Sequence, residues 1–95
     1  MKERLLLWSD VIVPLRLVCA EKGFALDVQD DLWARNTLTE HAIRVLAAQD
    51  EAAGDFLAGY IENQIDVVLV RVESKERLFS EALAVLAFEK NNRLK

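Results

Sequence analysis

The sequence predicts an all-α fold, a compact bundle of four to five helices with a long C-terminal helix or helix pair. Three observations point that way. One proline and three glycines in 95 residues leave few places to interrupt a helix. Start and stop signals stand at helix-length spacing, with "TLTE" (Thr37–Glu40) as a capping box and "AEKGF" as a glycine stop. Towards the C-terminus, Ile61, Ile65, Val68, Val72, Phe79 and Leu86 recur at four- and three-residue steps once Lys75 and Ala82 fill the gaps. An α+β alternative, with strands near 11–18 and 65–72, rests on five β-branched residues among the eight from Ile65 to Val72.

In chain order, the first helix is expected over much of Lys2 to Lys22. Lys22 would lie in its last turn, Gly23 at the left-handed position and Phe24 just beyond. Pro14 opposes this, because it removes a backbone bond and crowds the preceding turn. The helix therefore kinks there or restarts after Ser9 or Asp10; a hairpin through "LRLVCAEKGFALDV" is the competing possibility. Asp27 is placed to cap a short second helix through "VQDDLWAR", and Thr37 starts a third that runs to about Gln49. Gly54 offers a break and Asp55 a fresh cap. The next helix runs on through the apolar stretch, unbroken to about Lys90 or recapped at Ser74. Residues 1–95 are expected to form one helical domain, of a size that buries a modest core.

Apolar residues make up 53% of the chain, more than so small an interior readily holds. Some of that surplus is expected on the surface as an interface. Ile61, Ile65, Val68, Val72 and Phe79 are the candidate self-association seam, and a homodimer is the expected state. Charge is also uneven. Residues 24–66 carry a net −7, against +1 before and +2 after, within an overall −4. Asp27, Asp30, Asp31, Asp50, Glu51 and Asp55 are the candidate acidic face for a protein partner with a basic surface, with Trp33 as its aromatic anchor.

That field disfavours nucleic acid. A helix-turn-helix read into "TLTEHAIRVLAAQDEAAGDFLAGYIE" would present Asp55 and Glu62 to phosphates. No metal or other cofactor is expected, since His41 and Cys19 are the sole residues of their kinds and a zinc site needs three or four ligands. Glu40 beside His41 suggests acid–base chemistry, but neighbours along a helix do not face each other. Cys19 reads as a small buried hydrophobe, and glycine-rich phosphate loops are absent. Asp10 and Arg16 interrupt the N-terminal apolar run, so neither a signal peptide nor a membrane span is expected, and one cysteine suits a reducing, cytoplasmic setting.

The expected function is that of a non-enzymatic, acidic helical protein that self-associates and binds another protein, of adaptor, chaperone, immunity or inhibitor type. Two alternatives stand beside it. One is a structural subunit of a larger assembly; the other is a small enzyme with a site at a subunit interface around His41.

Overall fold

The structure, a computed structural model, describes residues 2–72 and 74–93. It is mostly helical, with strands β1 (Lys2–Leu7) and β2 (Val67–Val72) and helices α1 (Trp8–Glu21), α2 (Asp31–Gln49), α3 (Glu51–Ile61) and α4 (Lys75–Arg93). A single 3₁₀ turn, Val28–Asp30, precedes α2. The strands pair antiparallel, Lys2 opposite Val72 and Leu7 opposite Val67. The uninterrupted helix expected across the C-terminal third is therefore corrected, as is a first helix starting at Lys2.

The apolar run 65–72 owes its composition to burial on both faces of a strand rather than to a heptad stripe. Val68 and Val70 point into the main core, built from Trp8, Val11, Ile12, Leu15 and Cys19 of α1, Ala34 and Leu38 of α2, and Leu78, Ala82 and Leu86 of α4. Val67 and Leu69 point the other way, into a smaller cluster with Ala42, Ile43, Leu57 and Ile61. Flanked by helices on each side, β2 has no polar face, so alternation, the usual mark of a strand, is missing from its sequence.

A two-stranded sheet leaves each strand one unpaired edge. The register shows which groups face it. Trp8 N–H donates to Asp66 C=O at 2.8 Å, extending the ladder into the first turn of α1. Residues 8 and 66 are thus a bonded pair, and with them Leu6 with Val68 and Arg4 with Val70. Val67 and Leu69 turn their backbone groups away from β1, and α2 meets them there. Arg35 Nε donates to Val67 C=O at 2.6 Å, and Leu69 N–H donates to Thr39 Oγ1 at 3.2 Å. Two side chains four residues apart on one helix so stand in for a third strand.

This explains the correction at "TLTE". Thr37 and Glu40 do not begin a helix; they lie in the middle of α2, which starts at Asp31 and absorbs the short helix expected before it. The Thr39 hydroxyl bonds strand backbone rather than a helix end. Asp50, by contrast, does cap α3, accepting from Ala53 N–H at 3.1 Å, where Asp55 was expected to serve. Ser74 caps α4: its Oγ accepts from Arg77 N–H at 3.3 Å.

The strand proposed near 11–18 is helix instead. Every third or fourth residue from Trp8 to Cys19 is buried, a helical period that outweighs the loss at Pro14. The backbone bond Pro14 cannot make belongs to Asp10, an exposed residue. The end of α1 follows its sequence signal. Gly23 has φ 78°, Phe24 N–H donates to Cys19 C=O at 2.9 Å, and Gly23 N–H donates to Ala20 C=O at 3.1 Å. Lys90 of α4 then fastens this corner, donating to Ala25 C=O at 3.2 Å and lying 5.0 Å from the centre of the Phe24 ring.

Candidate functional site

The fold disperses the acidic face expected from the sequence. Asp31 and Asp50 stand at opposite ends of the 19-residue α2, roughly 27 Å apart at ~1.5 Å per residue. The carboxylates at the first end are already engaged: Asp31 pairs with Arg16, and Asp30 accepts from Asp27 N–H at 3.2 Å. Trp33 is half-buried and packs on the main core, so it does not stand as an anchor within an acidic surface.

The candidate self-association residues separate too. Ile61 in α3 and Val68 in β2 are buried in different clusters, Phe79 in α4 packs on the main core, and Ile65 is exposed in the connection before β2. Val72 ends β2, and its side chain lies outside what the structure describes. No single helix carries all five, which corrects the seam as a stripe: the four- and three-residue spacing arises from three successive elements.

What remains at the second acidic end is a surface on α3. That helix packs on α2 closely, because Gly54 lies against Ala47: a Cβ added at Gly54 would come within 2.6 Å of the Ala47 Cβ. With Gly54 and Ile61 turned inwards, the opposite side of α3 faces solvent. It carries Phe56, 71% exposed, and Tyr60, 54% exposed, with rings stacked at 6.4 Å and 16° between planes. By helix geometry Glu51, Asp55 and Glu62 form a second exposed stripe, and the small residues Ala52 and Gly59 lie between the two. From Asp50 to Asp66 the chain has five carboxylates and no lysine or arginine. The sequence showed the charge; the exposure of Phe56 and Tyr60 was hidden, since at i and i+4 they resemble a core-facing pair.

Behind this surface lies Arg35, 5% exposed. Besides Val67 C=O, it donates to the carbonyls of Gln64 and, at 3.3 Å, Ile61, and to Asn36 Oδ1 at 2.8 Å. Burial pulls its pKa down, while Asp66 pulls it back up. One side chain thereby ties α2 to the end of α3 and to β2, and holds the exposed helix in place. A buried arginine in this role is unreadable in sequence, because its acceptors are backbone carbonyls 26 to 32 residues away.

A second polar cluster forms where α2, β2 and α4 meet. His41 Nε2 is 3.5 Å from Glu81 Oε1, and Arg71 Nη1 is 3.9 Å from the same oxygen. His41 therefore pairs across the fold with Glu81 rather than with its neighbour Glu40. The cavity they share with Leu38, Val70 and Leu78 is about 20 Å³. That is room for about one water, which fits a structural polar cluster better than a substrate site. Cys19 is fully buried and burial pushes its thiol pKa up, so it is poorly disposed as a nucleophile.

Among the described residues, no three His, Cys, Asp or Glu side chains are grouped to hold a metal ion, and no helix is long and apolar enough to cross a membrane. No family model matches the chain, nor does any curated protein or solved structure.

Proposed function

We propose that this chain is a non-enzymatic protein-binding module, of adaptor, chaperone, immunity or inhibitor type, which docks a basic protein segment on the outer side of α3. The observation that carries the proposal is the exposed Phe56–Tyr60 stack beside a carboxylate stripe, in a stretch without lysine or arginine. Two solvent-facing rings on one helix are an expensive arrangement for a surface with nothing to cover it. Aromatic side chains supply contact area with little rotamer entropy to lose, and their faces attract guanidinium and ammonium groups. Glu51, Asp55 and Glu62 steer and orient such cations, while Ala52 and Gly59 let a partner backbone approach. A reducing, cytoplasmic setting suits the single thiol.

The test uses an amphipathic peptide of arginine, lysine and leucine as probe, followed by backbone amide shifts of the full chain. Shifts centred on residues 51–62 are expected, shrinking in about 1 M salt, where charges are screened beyond ~3 Å. Replacing Phe56 and Tyr60 together by Ala should weaken binding at least tenfold, with net charge unaltered. Shifts spread evenly over all the carboxylates, or binding indifferent to the double variant, would sink the proposal.

A further inference from the structure

We propose that two copies of this chain join through the free edge of β1, forming a four-stranded antiparallel sheet. The α3 surface plays no part in it. The register that turns Val67 and Leu69 towards α2 equally turns the backbone groups of Glu3, Leu5 and Leu7 outwards from β1. The edge of β2 is covered by Arg35 and Thr39; the elements closely packed against β1 are only β2 and α1 among the described residues. The edge is also partly apolar. Leu5 is 38% and Leu7 52% exposed, on the same side of the sheet as Val67, and Ile65 lies exposed just before β2.

The occupant that fits is a second β1. About a two-fold axis at Leu5, the outward amides and carbonyls of one strand meet those of its copy, with Leu5 opposite Leu5 and Glu3 opposite Leu7. This register puts all four Leu5 and Leu7 side chains on one face, and Arg4 opposite Leu6. Centring on Arg4 would oppose two arginines, and centring on Leu6 would shorten the ladder. The basic residues near the start of β1 thus select the register that the leucines favour.

The test is the solution mass of the full chain by light scattering over a hundredfold concentration range, with amide hydrogen exchange at its ends. Mass should rise from one chain to two. The Leu5 and Leu7 amides should exchange more slowly as the dimer fills, while Leu69, bonded to Thr39, stays protected throughout. Leu5→Pro removes an outward amide that β2 does not use, and Leu5→Lys sets two like charges on the axis. Each should remain monomeric at the highest concentration with an unchanged circular dichroism spectrum. If Leu5→Pro fails to fold, Leu5→Lys and the exchange data decide. The Phe56→Ala/Tyr60→Ala variant should still dimerise. A monomer at every concentration overturns the proposal, as does a dimer that survives a folded Leu5 variant with the Leu5 and Leu7 amides still exchanging freely.

Discussion

Replacing Arg35 by Met tests the central contact of the fold. The substitution keeps much of the side chain's length and removes every donor. Val67 C=O and Ile61 C=O then lose a charged partner 2.6 Å and 3.3 Å away, and Gln64 C=O loses its contact as well. Gln64 is only half-buried and can turn to water, so two stranded carbonyls set the magnitude. At roughly 1–3 kcal/mol each the loss is about 2–6 kcal/mol, reduced by removing a guanidinium whose burial is itself unfavourable. A net loss of about 3 kcal/mol is expected. For a domain this size, each kcal/mol moves Tm by about 4–8 °C, so thermal unfolding should shift down by about 12–24 °C. Arg35→Lys should recover little, since one ammonium cannot span carbonyls on two elements. Neither effect should depend on pH near neutrality, where the guanidinium stays charged despite its lowered pKa. A shift below about 4 °C for Arg35→Met, under 1 kcal/mol by the same conversion, would show that the edge of β2 is satisfied in another way.

Three further outcomes follow from the same geometry. Thr39→Val, nearly equal in shape, should cost about 1–3 kcal/mol in urea unfolding and speed exchange of the Leu69 amide, whose acceptor it removes. Gly54→Ala should destabilise by about 1–3 kcal/mol, because the new methyl meets Ala47 Cα at 2.9 Å and overpacking outweighs alanine's helix preference. Cys19 should resist aromatic disulfide reagents until the chain unfolds. Its folded pKa is raised above the ordinary 9.0, so its contribution is complete below pH 9.0. Above that pH the unfolded state ionises first and stability falls, a slope that Cys19→Ala should flatten.

Local chemistry was legible wherever it acts over a few residues. The glycine stop at Gly23, the cap at Ser74 and the helical spacing that buries Leu15 and Cys19 are all written within one or two turns of chain. The acidic bias of 24–66 is equally a property of composition. Four decisions lay beyond the sequence, because each depends on residues far apart in the chain. Val67–Val72 became a strand because β1 arrived from the other end to pair with it, and helices on both faces made its apolar pattern indistinguishable from a buried helix. Thr39 and Arg35 serve strand backbone 30 and 32 residues on, so a capping-box spacing misled. The length of α2 divided one acidic segment between two ends of the molecule. Close packing at Gly54 turned Phe56 and Tyr60 outwards, which created the docking surface. Charge and capping act over neighbouring residues and can be read in a line; exposure and strand pairing exist only once distant segments have met.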